Sequence, residues 1–183
     1  MIRVLLYGLF LALSVISFAY ASGPPVAPNG IALIEGFRDW QVIAPSYRSD
    51  KGHIRLVLGN PTAIRAFREG KRPFPDGTIL AKVAWNVAKL PKFPVAEVPA
   101  TFAQVEFMIK DSGKYKKTGG WGFARFVGEN FTPYGKDAGF VQECFGCHTP
   151  VAGNDFVFTH WAGVPKLVQH SAKPGNTSPP STY

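Results

Sequence analysis

The chain has 183 residues, a formal net charge of +8 and 46% hydrophobic residues, with 15 Phe, 4 Trp, 6 Tyr and only 2 Cys. That length suits one domain with a single sizeable core. The basic residues are scattered apart from Lys114, Lys116 and Lys117, which describes a solvated basic surface favouring anionic partners, not a nucleic-acid groove.

"MIRVLLYGLFLALSVISFAYA", residues 1–21, has one basic residue, Arg3, then an apolar run ending in Ala19-Tyr20-Ala21. This is the pattern of a secretory signal peptide cleaved before Ser22, and it predicts a periplasmic protein. The rival reading, a retained membrane anchor, is weakened by Ser14 and Ser17 inside the run and by the cleavage pattern after it. An exported protein rarely meets nucleic acid, so no such partner is expected. Residues 22–30, "SGPPVAPNG", read as a flexible Pro/Gly-rich lead-in, residues 31–170 as the folded body, and residues 171–183, "SAKPGNTSPPSTY", as a disordered tail.

Within the body, His53 to Gly59 reads as a strand. Asn60 to Gly70 reads as a short helix: Asn60 caps it, Pro61 suits its first position, Gly70 ends it, and Ala63, Ile64 and Phe67 form an apolar stripe. Pro73 to Gly77 is a turn by composition. Thr78 to Val87 alternates as a second strand, with Thr78, Leu80, Lys82, Ala84 and Asn86 on one face and Ile79, Ala81, Val83, Trp85 and Val87 on the other. Leu90 to Pro99 reads as a Pro-rich connection. Thr101 to Asp111 is a third strand, placing Phe102, Gln104, Glu106 and Met108 on one face, and Gly119 to Gly128 is a fourth. Gly119, Gly120 and Gly122 fit a tight turn and a close aromatic approach, not a nucleotide loop. A helix from Lys136 to about Phe145 delivers the cysteines. With a further helix at the start, the reading is α+β: a mainly antiparallel β-sheet with a few short helices, in a single domain.

Both cysteines lie in "CFGCH", Cys144 to His148. Two intervening residues let both sulfurs reach two vinyl groups on one edge of a haem, and the next residue then meets the iron as a nitrogen ligand. The motif predicts one covalent haem c, with Cys144 and Cys147 as attachment points and His148 as the proximal iron ligand. Export agrees, because bacterial c-type haem is attached outside the cytoplasm. A zinc site would need further ligands, and His53, His160 and His170 form no H-x3-5-H pair. A redox dithiol needs no histidine at this position, and a disulfide closing so short a loop is strained.

The other face of the iron decides the chemistry, since a sixth protein ligand makes an electron carrier and an open position makes a gas binder or an enzyme. Met108 is the one methionine left after signal cleavage and reads as core. His160, beside Trp161, reads as packed or hydrogen-bonded; His53 starts a strand and His170 opens the tail. The preferred reading is an open site. Arg55 lies within a short apolar strand; it either pairs with a carboxylate, reaches solvent, or faces a haem as a hydrogen-bond donor. Lys82 either snorkels to water or sits half-buried beside a ring.

"GFRDW" (Gly36 to Trp40), "HIRLVLGNPTAIRAFREGK" (His53 to Lys71), "PFPDGTILAK" (Pro73 to Lys82), "VEFMIKDSGKYKKTGGWGFARF" (Val105 to Phe126) and "CFGCH" together resemble the cytochrome P-460 family of exported haem proteins. The resemblance implies a mainly antiparallel β domain, often homodimeric, with a five-coordinate haem c. Enzymes of the family oxidise hydroxylamine toward nitrogen oxides and carry a lysine joined to the haem ring. The related cytochromes c-prime-beta lack that bond, have a Phe-rich distal pocket and bind nitric oxide. By the same resemblance Lys82 aligns with the cross-linking lysine and Arg55 with a distal arginine, and Glu106 is a candidate polar residue that moves protons. The function expected is oxidation of hydroxylamine or a related small nitrogen compound, with nitric oxide binding as the alternative and six-coordinate electron transfer as a third, and with a redox partner protein.

Overall fold

The computed structural model describes residues 23–163, so the signal segment, His170 and the C-terminal tail lie outside the described residues. Six antiparallel strands form one sheet in chain order: β1 (Gln41–Arg48), β2 (His53–Gly59), β3 (Ile79–Leu90), β4 (Phe93–Lys110), β5 (Trp121–Val127) and β6 (Thr132–Pro133). Two helices flank it, α1 (Pro61–Arg68) and α2 (Val141–His148). The α+β reading therefore holds.

The pleat divides the core in two. Ala81 and Val83 of β3 join Leu58, Val105, Phe107, Ala124 and Phe126 under Phe37 and the N-terminal segment. Leu80 joins Val57, Trp121 and Phe123 on the opposite face, covered by Ala63, Ile64, Ala66 and Phe67 of α1 with Phe74 and Val157. Alternation along a strand produces this directly, because successive side chains leave the sheet on opposite sides.

Helix α1 forms as its signals predict. Asn60 Oδ1 accepts from the amides of Ala63 (2.9 Å) and Ile79 (3.1 Å), while its Nδ2 donates to the carbonyl of Gly77 (2.8 Å). One side chain thus caps the helix and ties it to the start of β3. The glycines also behave as read: Gly119 and Gly120 have φ of 65° and 82°, and Gly122 lies against the Tyr115 ring with no room for a Cβ.

Five expectations change. Residues 23–30 are packed: Ala27 is 2% exposed, its amide donates to Ile31 O, and Asn29 Nδ2 donates to Phe123 O. Backbone pairing of this kind leaves no composition signal beyond the prolines. Leu90 to Pro99 is not a connection, since β3 and β4 continue as a two-stranded ribbon to a turn at Pro91 and Lys92. Pro94 and Pro99 are tolerated there because both strands of a ribbon are edges. Strand β1 was hidden by Pro45 and by its exposed edge position, and β6 is too short to read. The cysteine helix starts later, after a 3-10 turn at Ala138–Phe140 capped by Asp137, and runs on through His148. Finally, Phe102 leaves the face of Gln104, Glu106 and Met108. The register shifts between Ala84 and Trp85, Phe102 pairs with Trp85, and both pack on the first core. One extra residue reverses the facing of everything beyond it.

Replacing Asn60 with Ala should lower stability by roughly 1–2 kcal/mol, while Asp, which keeps the accepting oxygen, should recover part of it. Urea unfolding of the two variants against wild type measures this, and an unchanged Ala variant would dismiss the cap.

Candidate functional site

The second sheet face carries the charged residues. The β3–β4–β5 register sets Lys82 opposite Glu106 and Glu106 opposite Arg125. Glu106 Oε1 accepts from Arg125 Nε at 2.7 Å, and Oε2, which has no directed hydrogen bond, forms its ion pair with Lys82. Burial alone would raise the Glu106 carboxyl, but the charges of Lys82 and Arg125 and the Arg125 hydrogen bond hold it below the usual carboxylate range. The Arg125 guanidinium also stacks on Tyr134, 4.3 Å from its ring centre, and Tyr134 donates to Glu143 on α2 at 3.0 Å.

Arg55 pairs in register with Ala84, one row along from the Val57–Lys82 pair. Its Nε is buried without a hydrogen-bond partner. Burial, then the nearby Arg48 charge, pushes its guanidinium down. Among the described residues Arg55 makes no salt bridge to a carboxylate; Arg125, not singled out from the sequence, takes Glu106. The cue was present, as Arg125 is the one charged side chain in "WGFARFV".

In the adjacent row Met108 pairs with Phe123, and the Phe123 ring lies 5.5 Å from the imidazole of His148. Helix α2 packs on β5 here, although none of its residues is fully buried. Cys144 and Cys147, both free thiols, share one helix face at i, i+3, and Cys144 and His148 share it at i, i+4. Cys144 is half-buried and Cys147 exposed. Burial raises the Cys144 thiol despite the Arg125 charge.

His148 Nδ1 lies 2.7 Å from the carbonyl of Phe156. A carbonyl only accepts, so Nδ1 carries the proton and Nε2 is left with its lone pair. Burial also pushes the imidazolium down, which favours the neutral ring. Phe123 and Phe158 flank the imidazole. Among the described residues no three His, Cys, Asp or Glu side chains gather into a metal cage. This donor set fits a haem: two thiols for the vinyl groups on one helix face, a nitrogen held in the ligating tautomer, and aromatic walls.

Of the other candidate ligands, Met108 packs in the second core cluster, which it shares with Cys144 and Phe145, and His160 is exposed at the end of the described chain. His53 is half-buried at the start of β2. The structure thus brings Lys82, Glu106 and Arg55 to the sheet face where His148 sits.

A family model described as Cytochrome P460 matches residues 34–159. That span includes all six strands and the CFGCH motif. No curated protein matches the chain.

Replacing Glu106 with Gln should cost roughly 1–3 kcal/mol at neutral pH, since it leaves Lys82 and Arg125 without their shared anion. A carboxylate depressed on folding stabilises fully above its unfolded pKa, and that stability is lost as pH falls through the folded value. The wild-type advantage should therefore shrink on acidification. Denaturant unfolding across pH checks it, and a gap independent of pH would contradict the ionised cluster.

Proposed function

The chain belongs to the cytochrome P460 family, whose members are c-type haem proteins, and we propose that it is an exported mono-haem protein with an open distal site that oxidises hydroxylamine or a related small nitrogen compound. Cys144 and Cys147 would hold the single haem c through thioethers, with His148 Nε2 toward the iron. When bound, that group supplies the redox centre. A redox partner protein would take the electrons. Export would follow from the signal at residues 1–21.

The observation that carries the reading is the polar row Lys82–Glu106–Arg125, with the unpartnered Nε of Arg55 beside it. Four ionisable side chains facing one core cost desolvation that an apolar gas pocket would have no use for. A small polar substrate that must give up protons does use them. Arg55 Nε is a free donor for its oxygen or nitrogen, and ionised Glu106 is an acceptor for its N–H or O–H. His160, exposed at the surface, supports an open sixth position.

One observation favours the alternative. Lys82 is engaged as an ammonium by Glu106, and only a neutral amine can attack a ring carbon. If it stays engaged in the holoprotein, the ring is unmodified and nitric oxide binding becomes the better description.

The ferrous absorption spectrum and hydroxylamine-dependent reduction of an electron acceptor separate the two. A strongly red-shifted Soret band that is lost in Lys82→Ala, with turnover falling about a hundredfold or more, is the outcome expected. An ordinary ferrous haem c spectrum with nitric oxide binding and no turnover would replace the enzyme by the gas binder.

The homodimer is part of the same proposal. The β3–β4 ribbon exposes Leu90, Phe93 (60%) and Val95 (79%), an apolar group that a second copy would cover. Sedimentation should show a dimer in wild type and a monomer in Phe93→Asp; a monomeric wild type would remove it.

A further inference from the structure

We infer that Lys110 and Asp155, which take no part in the polar row, are positioning residues for the haem ligand: their buried ion pair fixes the turn whose Phe156 carbonyl orients His148. The inference rests on His148 being the iron ligand.

The pair is almost fully enclosed, with side chains 7% and 9% exposed and Lys110 Nζ 2.6 Å from Asp155 Oδ1. Every polar group of Asp155 but one is placed by a different part of the fold. Its Oδ2 accepts from the amide of Phe74 (2.8 Å), its carbonyl accepts from Trp121 Nε1 (2.9 Å), and its amide donates to Ala152 O (2.9 Å). Asp155 and Phe156 are consecutive left-handed residues, with φ of 52° and 62°, a conformation that L side chains other than Asn and Asp rarely adopt. Such backbone strain persists only where surrounding contacts over-determine it. Here those contacts turn the Phe156 carbonyl onto His148 Nδ1 at 2.7 Å.

A second clamp acts on Phe156 from its other side. Lys110 Nζ also donates to the carbonyl of Gly119 (3.1 Å), and a Cβ on Gly119 would clash with the Phe156 ring at its Cε2. One lysine therefore holds both the residue before Phe156 and the glycine beneath its ring. A filler role alone does not call for ions, because an apolar pair of the same volume fills a core at least as well. A held Nδ1–H···O=C bond makes Nε2 a stronger donor, which favours oxidised iron and lowers the reduction potential.

The test compares holoprotein of wild type, Lys110→Met, Asp155→Asn and Gly119→Ala, each with its haem content, reduction potential, iron–histidine stretching band and thermal midpoint. Asp155→Asn keeps a residue that tolerates the left-handed backbone and removes only the charge. Gly119→Ala leaves both charges and displaces Phe156. All three should shift the potential upward and the stretching band to lower frequency, in the same direction whatever their effect on the midpoint. Haem-loaded variants with lowered midpoints but unshifted potential and band would overturn the positioning role and leave the haem reading standing. If the two charge variants do not accumulate, Gly119→Ala decides by the same criterion. A wild-type protein without covalent haem would overturn both readings.

Discussion

Cross-strand register between β3, β4 and β5 is the constraint on which the rest of the site depends. It sets Lys82, Glu106 and Arg125 in one line across three strands and places Met108 and Phe123 in the next. A slip of one residue in β4 would turn Glu106 into the first core and bring Phe107 or Val105 to the charges. That penalty, a carboxylate buried among Phe37, Ala124 and Phe126 without its cations, is what keeps the register single-valued. The sheet tolerates an irregularity at Ala84 and Trp85, just beyond the charged row, where Phe102 is turned to the other face.

The second fixed point is the Lys110–Asp155 pair. Removing one member of such a buried pair costs roughly 3–5 kcal/mol, whereas each left-handed residue without a glycine costs about 1–2 kcal/mol. The pair and the hydrogen bonds from Phe74 N and Trp121 Nε1 together over-determine the conformation of Asp155. Trp121 adds its indole N–H to the Asp155 carbonyl and its ring to Lys110, 5.0 Å from the ammonium. Among the described residues, the chain beyond α2 forms no strand of its own and is tied to β4 and β5 by the Lys110 and Trp121 side chains.

These two anchors serve different ends of one apparatus. The first builds a charged surface that stays ionised while buried; the second aims a neutral imidazole. In the proposed function Lys82 connects them to the choice between oxidation and gas binding, because the same amine can complete the carboxylate's ion pair or leave it to meet a ring. Arg125 makes either arrangement affordable to Glu106, which keeps one cation whatever Lys82 does.

Much of this was legible from residues alone. The CFGCH spacing, the Asn60 cap, the turn at Pro73 to Gly77 and the alternation that splits Lys82 from Ala81 and Val83 are all local, set by covalent reach and by the period of a strand. So was the α+β class. What the chain does not encode locally is partnership. Which carboxylate meets Lys82, why Arg125 and not Arg55 takes Glu106, and which carbonyl holds His148 all depend on contacts between residues far apart in sequence. The ribbon at Leu90 to Pro99 and the packed lead-in were missed for the same reason, because prolines mark loops by their own chemistry while a neighbouring strand decides whether they lie in one. Sequence determined the haem-binding motif and the central strands β2 to β5; only the tertiary structure decided which charges face one another, because register is a property of pairs of strands and not of either one.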